Sequence, residues 1–256
     1  MELNRDYESA AIYKWRKKRK KAFVLFICIV GICFLVTRMV RVEDKTTVKV
    51  HNMHTEQNEK AIRYVASNMI KEDPKIAITF DDGPSSVWTP QLLDGLKERN
   101  VKATFFLIGE NAKNNPELVK REAEEGHLIG NHTYHHVEIT RVPDETAQEE
   151  ILMTNEVITG ITGEEVSYMR PPFGVWQKNL ERKLDVMPVL WTIDPLDWTT
   201  DNEDEIINKV VTQAGENDII LLHDCYESSV NAALRIVDIL QKEGFRFVTV
   251  DELIMN

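Results

Sequence analysis

Two adjacent aspartates and two nearby histidines have the residue types and spacing that metal-assisted chemistry requires. Asp81 and Asp82 end the apolar run at residues 76–80, and His132 and His136 lie four residues apart. That spacing can bring both imidazoles to one side of a turn. Two neutral imidazoles and one carboxylate form a usual catalytic zinc shell, which leaves a position open for water. We therefore predict that one aspartate binds a cation while its neighbour stays free as a base.

Each motif alone also has a plain structural interpretation. The sequence "DDGP" occurs in ordinary turns, and two histidines at this spacing are more often exposed surface residues that bind no metal. His127 and His135 are nearby histidines that we predict not to be ligands. Two close carboxylates push each other towards protonation unless a cation compensates them. The aspartate pair and the histidine pair together therefore favour a metal site.

Three further polar clusters follow apolar runs in the same way. They are "RPPFG" with Arg170, "WTIDPLDW" with Asp194 and Asp197, and "LLHD" with His223 and Asp224. In parallel β/α barrels, functional groups gather where strands end and the following loops begin. We therefore expect all five clusters to share one rim of the fold.

The chain from residue 75 onward alternates short β-rich runs with helical patterns, which predicts an α/β fold with a parallel sheet. Its length suits a distorted (β/α) barrel of about seven strands, and a doubly wound open sheet is the main alternative. The predicted strands are 76–80, 103–108, 127–131, 166–169, 188–193, 218–222 and 245–250. The predicted helices are 89–100, 116–126, 145–160, 176–185, 202–215 and 228–244.

The five clusters together resemble a known family. "TFDDGP", "H-T-x-x-H", "RPPFG", "DPLDW" and "LLH" look like the five ordered motifs of the NodB-homology polysaccharide deacetylases, carbohydrate esterase family 4. The resemblance covers residues 75–256. It implies a distorted (β/α) barrel, one divalent metal ion, and hydrolysis of N-acetyl groups on glycans. The metal would be zinc most simply, with cobalt, nickel or manganese as alternatives.

The resemblance also implies roles for the metal-side residues. By matching position, Asp82, His132 and His136 would be the metal ligands. Asp81 would be the general base that takes a proton from water. Arg170 would pair with Asp81 and keep it ionised.

The remaining roles come from the same positional match. His223 would be the general acid that protonates the departing sugar nitrogen, and Asp197 would orient it and favour its charged form. The backbone N–H of Phe173 would donate to the oxyanion. Trp198 and Leu221 would form an apolar slot for the acetyl methyl, although plain core packing explains these two almost as well.

Three other residues of these motifs receive no catalytic role. Asp194 lies beside Asp197 in "DPLDW" and is expected to be structural. Asp224 and Cys225 follow His223, and their place near the rim makes contact with substrate one option for them. Cys225 has no cysteine partner in residues 41–256, so we predict no internal disulfide there.

The N-terminal residues carry a different signal. Residues 1–21 are basic, and residues 22–40 form an apolar run that we interpret as a transmembrane anchor. We expect residues 1–21 to lie in the cytoplasm, because positive charge favours that side of the membrane. A cleaved signal peptide is the alternative, but no small-residue cleavage site follows the run. Residues 41–74 would be a stalk with an amphipathic helix, and residues 75–256 the catalytic domain. The expected location is the cell membrane, with a single span and an extracellular catalytic domain.

Charge and motifs exclude some other functions. The net charge is −11, and residues 1–41 contain ten Lys or Arg and three Asp or Glu, so the remaining chain carries −18. Such an acidic domain is a poor nucleic-acid binder. No Gly-rich phosphate loop follows the first strand, which disfavours nucleotide binding.

The resemblance and the outward-facing anchor together favour an envelope glycan as substrate, most simply peptidoglycan. Alternatives are deacetylation of chitin oligosaccharides and removal of O-acetyl groups from xylan. A catalytically silent glycan-binding wall protein is the alternative from another class. Binding alone needs neither a base nor an acid, so the presence of Asp81, Arg170 and His223 argues against it.

Overall fold

The computed structural model describes residues 73–176, 180 and 184–255. The predicted cytoplasmic segment and membrane anchor lie outside the described residues, as does the predicted stalk apart from residues 73 and 74. Within the described ranges, no helix combines the length and the apolar character that crossing a bilayer requires.

The described residues form one parallel sheet of seven strands, as the sequence predicts. The strands are β1 (Lys75–Asp81), β2 (Thr104–Leu107), β3 (Leu128–Asn131), β4 (Tyr168–Met169), β5 (Met187–Pro188), β6 (Ile219–His223) and β7 (Arg246–Phe247). Their hydrogen-bonded order is β5-β4-β3-β2-β1-β6, and β7 pairs with the start of β1. The first strand therefore pairs on both sides, with β2 on one and with β6 and β7 on the other.

The chain that leaves β5 also reaches the opposite edge of the sheet. Pro188 pairs with Met169 of β4, whereas Ile193 forms a bridge with Ile220 of β6. A hydrogen bond from Leu221 N to Ile193 O at 2.9 Å supports that bridge. The segment 188–193, predicted as one strand, therefore joins both edges. The sheet curls into a distorted, partly closed barrel rather than the open sheet of the alternative prediction.

Seven α-helices lie among the described residues. They are α1 (Thr89–Glu98), α2 (Gly109–Asn114), α3 (Pro116–Glu124), α4 (Asp144–Thr162), α5 (Glu203–Val211), α6 (Glu227–Lys242) and α7 (Val250–Ile254). The sequence did not predict α2 or α7, because helices of six and five residues are too short to show a helical period. The predicted strand at 245–250 shortens to β7, and α7 begins at its last residue. The predicted helix at 176–185 falls partly outside the described residues.

The core explains why β1 reads as a continuous apolar run. Every position of β1 after Lys75 is buried, as expected for a parallel strand covered on both faces. Leu92 and Leu96 of α1 and Ile236 of α6 pack in the same buried cluster as Phe80. The end of β1, where Asp81 lies, is therefore held in place by helices packed on the outer side of the barrel.

Candidate active site

The predicted rim exists, because the motif-bearing strands end side by side. Asp81 at the end of β1 is in register with His223 at the end of β6. On the other side, Asn131 at the end of β3 is in register with Met169, the residue before Arg170. The loops that follow these strands therefore start from one edge of the sheet.

Asp82, His132 and His136 form a cluster at this rim. One ligand atom from each lies within 4.8 Å of the others. The Nε2 atoms of His132 and His136 both lie 3.4 Å from Asp82 Oδ1. That oxygen is buried and has no hydrogen-bond partner among the residues that the structure describes. Two imidazole nitrogens around one unsatisfied carboxylate oxygen fit a divalent cation with an open coordination position.

Hydrogen bonding and burial prepare these side chains to bind a cation. His132 Nδ1 lies 2.7 Å from Arg170 O, and because a carbonyl only accepts, Nδ1 donates and leaves the Nε2 lone pair free. Burial lowers the pKa of His136, and electrostatic interaction with the nearby imidazole of His132 lowers it further, which favours the neutral form that ligates. Burial raises the pKa of Asp82, but its interaction with His132 and the charge interactions with His223 and His136 outweigh burial and lower it overall.

The ligand loops hold unusual backbone conformations. Asp82, Thr133 and His136 have φ values of 73°, 63° and 56°, a region that residues with a side chain rarely adopt. Such conformations persist only where surrounding contacts hold them, and they cluster at functional sites. Here the contacts include Glu150 of α4, whose Oε2 accepts from the backbone N–H groups of Tyr134 at 3.0 Å and His135 at 2.8 Å.

Sequence analysis missed Glu150, because a glutamate inside an amphipathic helix resembles an ordinary surface residue. Its Oε1 also lies 2.7 Å from Nδ1 of His135, so His135 binds this carboxylate rather than the cation cluster. His127 also lies apart from the cluster, and it is buried rather than at the surface. Its Nδ1 accepts from Ala103 N at 3.1 Å, and burial lowers its pKa to about 4.

Asp81 is paired with a buried arginine. Arg170 Nη1 donates to Asp81 Oδ1 and to Thr79 Oγ1, both at 2.7 Å. The guanidinium is fully buried and lies 4.3 Å from the centre of the Phe106 ring. The other oxygen of Asp81, Oδ2, lies 3.7 Å from His132 Nε2. Arg170 therefore occupies one oxygen of Asp81, and the second faces the ligand cluster.

His223 is paired with Asp197 in a similar way. Asp197 is 1% exposed; its Oδ1 lies 2.8 Å from His223 Nδ1, and its Oδ2 accepts from His223 N at 2.8 Å. Burial lowers the pKa of His223, but the hydrogen bond and charge of Asp197 outweigh burial and raise it to about 9. The remaining ring nitrogen, Nε2, lies 4.0 Å from Asp82 Oδ2. His223 can therefore present a proton towards the ligand cluster.

Exposed aromatic side chains flank these groups. Phe173 is 63% exposed, and its ring centre lies 5.0 Å from that of His136. Trp198 is 56% exposed and directly follows Asp197. Tyr226, which sequence analysis did not single out, is also exposed, with its ring centre 6.3 Å from that of His223. The rings of Phe173 and Tyr226 therefore form an apolar border at this polar site.

Leu221 lies below this border, inside β6. It is 4% exposed, and because side chains alternate along a strand, it lies on the same face of β6 as His223. It is in register with Thr79, which donates to Ile220 O and receives a bond from Arg170. Leu221 thus occupies a position beneath the acid, where the predicted methyl slot would have its floor.

The three residues without a predicted catalytic role lie close to the charged groups of the site. Asp194 Oδ1 accepts from Leu196 N at 2.9 Å and holds a turn in which Leu196 has a φ of 57°. Asp224 is fully buried, so the option that it contacts substrate is wrong. Burial raises the pKa of the Cys225 thiol to about 12, so it is protonated at neutral pH.

Comparisons with known proteins agree with the geometry. The polysaccharide deacetylase family matches residues 68–189. Peptidoglycan-N-acetylglucosamine deacetylase PgdA of Listeria monocytogenes is 37% identical over 216 residues, which cover 82% of this chain and 46% of that protein. A peptidoglycan-N-acetylglucosamine deacetylase of Bacillus cereus is 39% identical over 186 residues, which cover 70% of this chain and 68% of that protein.

A solved structure shows the same fold. Peptidoglycan deacetylase PdaC from Bacillus subtilis superposes with a TM-score of 0.70 at 37% identity, covering 71% of this chain and 90% of that one. The chain spans less than half the length of the Listeria relative. Since it matches more than two thirds of the Bacillus cereus protein at 39% identity, this chain belongs to the polysaccharide deacetylase family.

Proposed function

We propose that this protein hydrolyses N-acetyl groups of an extracellular amino-sugar polymer, most simply peptidoglycan, and releases acetate. The observation that carries the proposal is the meeting of three units at one rim. These units are the Asp82–His132–His136 cluster, the Asp81–Arg170 pair and the His223–Asp197 pair. The names of the relatives support the substrate, since two of them are peptidoglycan-N-acetylglucosamine deacetylases.

The chain's own residues supply the proton transfers of this reaction. A divalent cation bound by the cluster, zinc or alternatively cobalt, nickel or manganese, would supply Lewis-acid polarisation of the acetyl carbonyl. Asp81 uses the oxygen not bonded to Arg170 to take a proton from the attacking water. The backbone N–H of Phe173 donates to the oxygen that gains negative charge.

The reaction needs an acid because the group that leaves is the nitrogen of the sugar. The water oxygen bonds to the acetyl carbon, and the bond from that carbon to the sugar nitrogen breaks. The nitrogen leaves poorly as an anion and therefore needs a proton. Nε2 of His223 donates that proton, while Asp197 accepts a hydrogen bond from Nδ1 of the same ring. The products are acetate and a free amino sugar. Trp198 and Leu221 enclose the space for the acetyl methyl group.

The experiment measures acetate release by the purified protein with zinc on peptidoglycan, chitin oligosaccharides and acetylated xylan. We expect release from peptidoglycan, its loss in Asp82→Ala, and retention in the matched exposed control Asp185→Ala. Metal analysis of the same samples should show about one ion per chain in the wild type and much less in Asp82→Ala. Release from xylan alone would support the esterase alternative. Glycan binding without release from any substrate would support the silent wall protein and refute the proposal.

We also propose that residues 22–40 anchor the protein in the cell membrane and place residues 75–256 outside. The basic residues before the apolar run support this orientation. A tether would restrict the enzyme to polymer close to the membrane. Recovery of the full chain in the soluble fraction after expression and cell lysis would contradict the anchor.

A further inference from the structure

A buried carboxylate outside the catalytic groups links two of the loops that carry them. Asp224 follows His223 at the end of β6 and is fully buried. Its Oδ2 accepts a hydrogen bond from the hydroxyl of Thr89, the first residue of α1. Thr89 Oγ1 in turn accepts from Ser85 N at 2.7 Å. This contact chain runs from the loop of the acid to the "DDGPSS" turn of the base and the metal ligand.

The same carboxylate lies directly against that turn at Gly83. A Cβ placed on Gly83 would lie 2.5 Å from Asp224 Oδ2 and 2.7 Å from its Cγ. Neither distance is possible for a real side chain. Gly83 does not have a positive φ. Glycine is therefore required at this position because Asp224 lies so close, and not because of the backbone conformation. Gly83 directly follows Asp82, so this contact bears on the metal ligand.

Two contacts hold the opposite side of the turn. Asn111 Nδ2 of α2 donates to Asp82 O at 2.8 Å. Ile108 N donates to Gly83 O at 3.2 Å. The turn is therefore fixed from α2 on one side and from Asp224 and Thr89 on the other. A residue held at a φ of 73°, such as Asp82, requires such support, because the isolated backbone disfavours that conformation.

We propose that Asp224 and Thr89 are positioning residues that hold the 82–85 turn against the end of β6 and so orient Asp82 towards the two histidines. Both act through backbone and buried contacts, and neither touches substrate. The catalytic consequence rests on the proposed function, whereas the effect on metal affinity does not. Groups that orient metal ligands typically change metal affinity or activity by about 10–100-fold when removed.

The test compares Thr89→Val with Thr89→Ser. Valine keeps the shape and removes the hydroxyl that joins Ser85 to Asp224, whereas serine keeps the hydroxyl and removes only the methyl group. Zinc affinity is measured by competition with a chromophoric chelator, and kcat and KM by acetate release. We expect zinc binding to weaken by about tenfold or more in Thr89→Val, with kcat reduced more than KM changes, and rescue to near wild-type affinity in Thr89→Ser. Wild-type zinc affinity in Thr89→Val would overturn the proposal.

A second pair of variants keeps the test decisive if Thr89→Val does not fold. Gly83→Ala places a methyl group where the Asp224 carboxylate lies, and it should weaken zinc binding strongly. Asp224→Ala removes that overlap, so the double variant should bind zinc better than Gly83→Ala alone. Additive losses in the double variant would show that the two residues do not act on each other. A wild-type protein that binds zinc but releases no acetate would refute the proposed function and leave this inference standing.

Discussion

Replacing Asp197 with asparagine tests how the structure sets the protonation of the acid. Asp197 accepts two hydrogen bonds from His223, one from Nδ1 and one from the backbone N–H, both at 2.8 Å. An asparagine side chain has one acceptor oxygen for these two donors. The pKa of His223 is raised from 6.5 to about 9 although burial lowers it. This difference corresponds to roughly 3 kcal/mol of preference for the imidazolium form.

Because burial remains in Asp197→Asn, we expect the pKa of His223 to fall to its ordinary value or below. The measurement is an NMR titration of metal-free protein with isotope-labelled histidine, with the His223 signal assigned from its loss in His223→Gln. The matched control is Asp194→Asn, which makes the same chemical change in the same loop but removes the bond to Leu196 N instead. A His223 pKa that stays near 9 in Asp197→Asn would refute the reasoning.

The same substitution has a signed effect on stability. A histidine whose pKa is higher in the folded state contributes stability that is fully present below the unfolded value, and it loses that contribution as pH rises through the folded value. Asp197→Asn should therefore lower the free energy of unfolding by up to roughly 3 kcal/mol at pH 6, and by much less above pH ~9. Urea unfolding of metal-free protein at both pH values measures this. Acetate release should also fall by about 10²–10⁴-fold, the usual contribution of a general acid.

Two further predictions concern buried charge. Arg170→Leu leaves the carboxylate of Asp81 buried without its partner, so it should lower the free energy of unfolding of the metal-free protein by about 3–5 kcal/mol in urea. The double variant Arg170→Leu, Asp81→Leu should lose less stability, because no unpaired charge remains. Equal losses in the two variants would contradict this. Glu122 is fully buried, and burial, with a smaller effect from the charge of Asp224, raises its pKa well above the ordinary value. The folded state holds this proton more tightly than the unfolded state, so the wild type loses stability as pH rises above the ordinary pKa of a glutamate. Glutamine has no proton to lose, so the Tm of Glu122→Gln relative to wild type should rise between pH 5 and pH 8, and a constant difference would refute this.

Much of the fold follows from local pattern, and the elements that do not are short. β1 is a continuous apolar run and α6 is long and has a helical period, so both are predicted within a few residues. By contrast, β4, β5 and β7 contain two residues each. The predicted strand at 188–193 was partly correct, because its two ends pair with different neighbours. That division depends on closure of the barrel, which no local pattern encodes.

The supporting residues of the site are harder to predict than the residues at its centre. Glu150 reaches the histidine loop from sixteen residues away, and Asp224 reaches Thr89 across 135 residues. Neither contact leaves a periodic or spacing signal in one sequence. Gly83 gave a partial signal, since a glycine after two aspartates suggests a turn. The structure adds that the turn needs glycine because a carboxylate from another loop lies against it.

The adjacent aspartates show why both sequence and tertiary structure are needed to form this site. In a regular strand, neighbouring side chains point to opposite faces, so a β1 continued through residue 82 would separate Asp81 from Asp82. The φ of 73° at Asp82 ends the strand there. As a result Asp81 Oδ2 lies 3.7 Å and Asp82 Oδ1 lies 3.4 Å from the same atom, Nε2 of His132. Two like charges so close require opposite charge on each side; Arg170 supplies it for Asp81, and the unsatisfied oxygen of Asp82 leaves a cation as the natural counterpart.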